Sequence, residues 1–159
     1  MKAPFVIRAA EWAWAWAHES GRYVVPETFR VNLGDKILVV DAGYLFDGAS
    51  IAPNGPHNEV MKAAAAHDML YARGEWDDGT PCERIEADTV LFRLMREAKI
   101  ATAICWLYYY AVRRIGWIPW NRYRRMEARE ECTVFFLSPN DFEFNGWEMK
   151  DAKRLLPGG

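Results

Sequence analysis

Short apolar runs separated by turn residues fill the first part of the chain. Residues 12–17 read Trp-Ala-Trp-Ala-Trp-Ala, and this period of two predicts a strand with the three tryptophans on one face. Three more strands are predicted by apolar runs that end at turn residues: residues 23–25, 28–33 and 36–40. Residues 41–56 contain Gly43, Gly48, Pro53 and Gly55 and predict a long ordered loop, a feature that is often functional.

The pattern then becomes helical. Residues 58–73 are Ala-rich, residues 74–81 predict a loop, and a second helix runs from Cys82 or Glu83 to Ala98. On that helix one face is predicted to carry Ile85, Asp88, Leu91, Phe92 and Met95. An apolar helix over 101–115 ends at Gly116, a basic helix covers 121–131, and a strand covers 133–137.

This order of elements predicts a single α+β domain over residues 1–159. Residues 1–56 form its β-rich part with the loop, 57–131 its helical part, and 132–159 a C-terminal strand and tail. The best candidate for a membrane span, residues 100–112, is too short and is followed by two arginines, so we expect a buried helix in which Trp106 and the following tyrosines pack. The N-terminus lacks the apolar core of a signal peptide.

Charge and cysteine content narrow the classes of function. The net charge is −2, so no specific nucleic-acid partner is expected. The three cysteines form no CxxC pair, which predicts reduced thiols in a cytoplasm. Basic and aromatic residues cluster near the end of the helical part, where they predict either a lipid-membrane or protein-partner surface or a solvated helix face: Arg113, Arg114, Trp117, Trp120, Arg122, Tyr123, Arg124 and Arg125.

Candidate chemistry lies on the first two helices. Tyr71 follows His67 by four residues and shares its face, and Arg84 and Asp88 have the same spacing on the second helix. If the helices pack antiparallel, Asp88 can face His67 and fix its tautomer, and the other ring nitrogen can deprotonate water. The alternative is a structural hydrogen-bonded cluster.

Two acidic residues are candidates for binding a hard cation such as calcium. Asp68 is the next residue along the helix, and Asp47 lies in the predicted loop. Backbone carbonyls near Gly43 and Gly48 could complete an oxygen shell of the kind that calcium prefers.

A longer series of motifs resembles a family of small phage and prophage proteins of undetermined function. The series covers about residues 37–116 and includes Asp47-Gly48-Ala49-Ser50, Ala64-Ala65-Ala66-His67-Asp68-Met69-Leu70-Tyr71, Ala87-Asp88 and Tyr109-Tyr110-Ala111-Val112-Arg113-Arg114-Ile115-Gly116. The resemblance implies a phage origin but no activity. From a phage origin we expect synthesis in the cytoplasm of a bacterial host, and a place in the virion among other phage structural proteins is one hypothesis.

The His-Asp helix also resembles phospholipase A2, especially the short form in parvovirus capsid proteins. Asn58, the alanine run, His67-Asp68, Tyr71, and Asp88 with Phe92 follow the order of those enzymes. The resemblance implies that His67 is the general base, Asp68 a calcium ligand, Asp88 the carboxylate that orients His67, and Tyr71 a structural partner. The tight Gly-Pro-Gly-Asn calcium loop of the viral enzymes is not reproduced here.

Four functions follow as hypotheses. The first is a virion-associated, calcium-dependent lipid hydrolase that acts at the host membrane. The second is a non-enzymatic tail or capsid-associated protein in which the His-Asp cluster is structural. The third is an early protein that acts on host defence. The fourth is a metal-dependent phosphohydrolase that uses His57, His67, Asp68 and Asp88.

Overall fold

A computed structural model describes residues 5–9, 12–17, 22–25, 27–46 and 58–136 of the chain. Seven strands and four helices follow in the order that the sequence predicts, with strands first, helices second and a late strand. The α+β class is therefore confirmed. The bounds are β1 Phe5–Ala9, β2 Trp12–Ala17, β3 Arg22–Val24, β4 Phe29–Leu33, β5 Lys36–Val40, β6 Tyr44–Phe46, α1 Asn58–Arg73, α2 Arg84–Glu97, α3 Thr102–Ile115, α4 Trp117–Ala128 and β7 Phe135–Phe136.

The strands form an antiparallel sheet and a separate hairpin. The five-stranded sheet has the order β1-β2-β3-β6-β7, and β4 pairs with β5 across the Gly34 turn. Phe29 and Val31 are buried on β4 while Arg30 is exposed, as a half-buried strand requires. The predicted strand at 12–17 is confirmed as β2, but the side chains of its tryptophans lie outside the described part of the structure.

One strand interrupts the predicted loop over residues 41–56. The chain turns at Gly43, whose φ of 90° suits glycine, and continues as β6. Tyr44 and Phe46 are buried, and β6 pairs with β3 and β7. The prediction of a loop is therefore wrong for residues 44–46. The glycine and proline residues around them favoured a loop, although these three residues have a strand pattern. Residues 47–57 lie outside the described part.

Helix α1 packs between α2 and the strands β5 and β6. Four consecutive alanines, Ala63–Ala66, are at most 5% exposed, and Met69 and Leu70 extend the buried face. Small side chains on a helix allow its neighbours to approach closely, and alanine has the highest helix propensity. The alanine run therefore places His67 deep in the domain.

The later elements differ from the prediction in four ways. Helix α4 starts at Trp117 rather than at residue 121, since Pro119 is tolerated in a first turn, where backbone N–H groups lack partners within the helix. Helix α3 is not buried, because only Cys105 and Val112 are buried among its residues. Ile85 is 45% exposed, so it does not share the buried face of α2. Within the described residues, strand β7 covers Phe135–Phe136, and residues 133 and 134 of the predicted strand are not part of it, while residue 137 lies outside the described part.

Candidate functional site

The site is a buried carboxylate between α1 and α2. Asp88 is fully buried, and its Oδ1 accepts hydrogen bonds from His67 Nε2 at 2.9 Å and from the Tyr71 hydroxyl at 2.6 Å. The predicted contact between His67 and Asp88 is therefore present. Since a carboxylate only accepts, the contact assigns the proton to Nε2 of His67.

Two arginines neutralise the other oxygen of Asp88. Arg113 Nη1, from the last turn of α3, donates to Oδ2 at 2.9 Å, and Arg84 Nη1 lies 3.6 Å from the same oxygen. Arg84 also donates to the carbonyl oxygens of Val112 and Arg113 at 3.1 Å, so it satisfies groups that the end of α3 leaves open. The Asp88 carboxylate thus holds α1, α2 and α3 together.

Gly116 allows the end of α3 to lie against this network. A Cβ at this position would overlap the Val112 carbonyl oxygen and the Tyr71 hydroxyl. The Tyr71 ring lies 4.2 Å from the His67 ring and meets Trp120 edge-on at 5.2 Å, measured between ring centroids. Tyr71 is therefore fixed on three sides.

The second nitrogen of His67 faces the outer side of the network. Nδ1 lies 3.5 Å from Oδ1 of Asp68, whose side chain is about a quarter exposed, while His67 itself is 7% exposed. Solvent therefore comes nearest to the imidazole on the Asp68 side. This is the nitrogen that could take a proton from water.

The charges of the network shift its pKa values in opposite directions. Burial lowers the pKa of His67, but hydrogen bonds to Asp68 and Asp88 outweigh burial and raise the pKa above its usual value. Burial raises the pKa of Asp88, but hydrogen bonds from His67, Tyr71 and Arg113 outweigh it and lower the pKa. Burial and the hydrogen bond to Asp88 raise the pKa of Tyr71, so its hydroxyl stays protonated and donates.

A family model described as "Protein of unknown function (DUF1353)" matches residues 23–112, which is more than half of the chain. The chain belongs to this family. Comparisons with curated proteins and with solved structures found no match. The matched residues include His67, Tyr71, Arg84 and Asp88 of the network, whereas Arg113 lies just beyond them.

The predicted calcium ligands of this DUF1353 member lie partly inside and partly outside the described residues. Asp68 is described and partly exposed, whereas Asp47 lies outside the described part, as does the side chain of Asn58, the first residue of α1. Within residues 58–136 and the described strands, no group of three or more His, Cys, Asp or Glu side chains could hold a metal ion. Calcium takes six to eight oxygen ligands. The described residues alone therefore do not fit calcium, and the site stays a prediction.

Some members of the predicted basic and aromatic surface contact the rest of the domain, and the others are exposed. Arg113 binds Asp88, Trp120 packs on Tyr71, and Arg124 Nη2 donates to the carbonyl oxygens of Tyr71 and Ala72 at the end of α1. Tyr123 is partly buried against the core. The remaining members of the set are exposed: Arg114, Trp117, Arg122 and Arg125.

Arg113 is a site residue that the sequence analysis assigned to the surface. Adjacent residues on a helix point about 100° apart, so at most one residue of the Arg113-Arg114 pair could face α2. Arg113 follows Tyr109 by four residues and so shares its side of α3, and Tyr109 packs against Phe92 of α2. This spacing is the sequence feature that points to Arg113 as the arginine facing α2. In the described part of this DUF1353 member, no helix is both long and apolar enough to cross a membrane.

Proposed function

We propose that this protein is a hydrolase of lipid esters in which His67 acts as the general base. The observation that carries the proposal is the orientation of His67. Its Nε2 is bound to buried Asp88, which is itself held by Tyr71 and Arg113, and its Nδ1 faces the more accessible side near Asp68. A base needs a fixed tautomer, which the contact with Asp88 supports, and a second ring nitrogen that water can reach. Nδ1, which lies 3.5 Å from the Asp68 carboxylate on the more accessible side, is the candidate for that nitrogen.

The reaction is an ester hydrolysis. Nδ1 of His67 takes a proton from a water molecule, and the water oxygen bonds to the ester carbonyl carbon. The bond between that carbon and the alkoxy oxygen then breaks, and the imidazolium returns its proton to the leaving alkoxide. The products are a carboxylic acid and an alcohol, and His67 regains its neutral form. Asp88 stabilises the imidazolium while it exists.

The resemblance to phospholipase A2 supports a lipid as the substrate. The roles which that resemblance implies for His67, Asp88 and Tyr71 agree with their hydrogen bonds in this structure. The resemblance to phage and prophage proteins extends the proposal to a phage-encoded enzyme, made in the host cytoplasm and carried by the virion to the host membrane. Calcium, if bound by Asp68 and Asp47, would polarise the ester carbonyl.

Fatty-acid release from vesicles tests the proposal. The purified chain is mixed with vesicles of phosphatidylcholine and phosphatidylglycerol, with calcium or with a chelator. The His67→Gln variant keeps an N–H near the position of Nε2 but has no basic nitrogen. We expect this variant to lose about 10²- to 10⁴-fold in rate, the usual contribution of a general base, while it stays folded by circular dichroism.

Arg93→Gln serves as the matched control, because Arg93 lies on an accessible part of α2 and contacts Glu97. Its rate should equal that of the wild type. The proposal is wrong if the wild-type protein releases no more fatty acid than His67→Gln under both calcium conditions.

A non-enzymatic virion protein is the second candidate function. It is supported by the complete burial of Asp88 among two arginines, a tyrosine and a histidine, an arrangement that also joins three helices without any reaction. In this case the protein would be detected by mass spectrometry in purified phage particles. The His67→Gln variant would lose stability, and no lipid would be hydrolysed by either protein.

A further inference from the structure

We propose that the outward side of α3 docks on an anionic lipid bilayer. We call this side the α3 outer face, and it consists of Ile104, Trp106, Leu107, Tyr110 and Arg114. Only the catalytic role of this surface rests on the proposed function, since it is where the hydrolase would meet its lipid substrate. Binding itself can be measured without hydrolysis.

Exposed apolar side chains are concentrated on this part of the molecule. Of the eight large hydrophobic residues that are exposed in the described part, seven lie on α3 and α4, and Leu107 and Tyr110 are 66% and 61% exposed. Positions 107, 110 and 114 follow the spacing of one helix face. Several large apolar side chains exposed on one helix face are typical of an interaction site rather than of an ordinary solvated helix.

The charge of the same region favours lipid over a second copy of the chain. From residue 98 to residue 126 there is no Asp or Glu, but there are one lysine and five arginines. Arg114, Arg122 and Arg125 are exposed and have no ion pair with another residue in the described part. A second copy that docked through its own α3 would supply no carboxylate from that helix, whereas anionic headgroups supply negative charge to these arginines.

The aromatic residues of the face form a preorganised platform. Trp106 stacks on Tyr110 with 5.6 Å between ring centroids, and Phe92 of α2 lies 4.7 Å from Trp106. Trp and Tyr have an apolar body and a polar edge, which suits the boundary between headgroups and acyl chains. Because the rings already support one another, docking restricts few side-chain rotations.

The α3 outer face is directly connected to the candidate site. Arg114 belongs to the face, and the preceding residue, Arg113, donates to Asp88 from the inner side of the same helix turn. Arg84 also holds the end of α3 through two backbone carbonyls. A bilayer bound to α3 therefore lies next to the element that completes the His67 network.

Vesicle co-sedimentation of the full chain in a chelator tests the proposal. Vesicles of phosphatidylcholine alone are compared with vesicles containing roughly one-third phosphatidylglycerol. We expect binding to the anionic vesicles, weakened by added salt, and little binding to the neutral ones. Leu107→Glu combined with Tyr110→Glu should weaken binding about tenfold or more, and Arg114→Gln should weaken it about fivefold, as expected for one basic residue near a charged bilayer.

Ile85→Glu is the control, since it places one added glutamate, half the charge of the double variant, at an exposed apolar position of α2. Its binding should equal that of the wild type. The proposal is overturned if the wild type does not bind, if it binds both vesicle types equally, or if the double variant binds as tightly as the wild type. It is also overturned if sedimentation shows a dimer that the double variant disperses, because a second copy would then cover the face. Binding without hydrolysis would support this proposal and contradict the proposed function.

Discussion

The α1–α2 junction, which we define as Asp88 with His67 and Tyr71, buries a charged group, whereas the α3 outer face exposes apolar groups. At the junction Asp88 is fully buried, whereas on α3 Leu107 is 66% exposed. Both depart from the usual distribution, in which charged side chains are solvated and large apolar ones are buried. The buried carboxylate is compensated inside the chain by three hydrogen-bond donors and by the nearby Arg84 charge, while the exposed apolar face has no such compensation. We therefore expect changes at the junction to affect stability and changes on α3 to affect association.

The largest effect should come from removing the carboxylate. Asp88→Ala leaves His67, Tyr71 and Arg113 without their common acceptor, and we expect it to lower the free energy of unfolding by about 3–5 kcal/mol. Urea unfolding measures the change. Glu97→Ala, on the exposed end of the same helix, should change it by less than about 0.5 kcal/mol. Equal effects of the two substitutions would show that the junction is not a stability centre.

Substitutions of the adjacent residues Arg113 and Arg114 test the difference between the junction and the α3 outer face within one helix turn. Arg113→Gln removes a charged hydrogen bond to a buried acceptor and should cost about 1.5–3 kcal/mol of unfolding free energy. Arg114→Gln should change stability by less than about 0.5 kcal/mol, because Arg114 is exposed. If Arg114 were the more costly of the two, the assignment of inner and outer sides would be reversed.

The pH dependence of stability is the finest test of the junction. Because hydrogen bonds lower the pKa of Asp88 below 3.8, its contribution is present above that pH and is lost as the pH falls through the folded value. Because Asp68 and Asp88 raise the pKa of His67 above 6.5, its contribution is complete below that pH and is lost as the pH rises through the folded value. The free energy of unfolding should therefore be greatest at mildly acidic pH.

Urea unfolding at a series of pH values measures this profile. His67→Gln should remove the decline on the alkaline side and keep the decline on the acidic side. An unchanged alkaline decline in the variant would assign it to another group.

Much of the fold followed from local patterns. Helix α1 has the predicted bounds, and α2 and α3 begin or end within two residues of the predicted ones. Local signals failed where two features competed. Glycines around β6 indicated a loop, although pairing with β3 and β7 stabilises a strand there. Pro119 indicated a break in the chain, although it lies in the first turn of α4.

The candidate site was only partly predictable. The spacing of His67 and Tyr71, together with the short connection to α2, was enough to predict that Asp88 faces His67. Arg113 and Arg124 could not be assigned to this region, because their partners are 25 or more residues away in sequence. Their inward direction depends on how α3 and α4 rotate against α1 and α2.

By itself the sequence determined the order of elements, the α+β class and the residues that meet between α1 and α2, because periodicity and short connections act locally. Only the tertiary structure decided which side of α3 meets α2. A helix as apolar as α3 is equally suited to burial or to a surface, and the choice depends on whether other elements cover it. In the described structure α2 covers one side, and the opposite side keeps Leu107 and Tyr110 exposed.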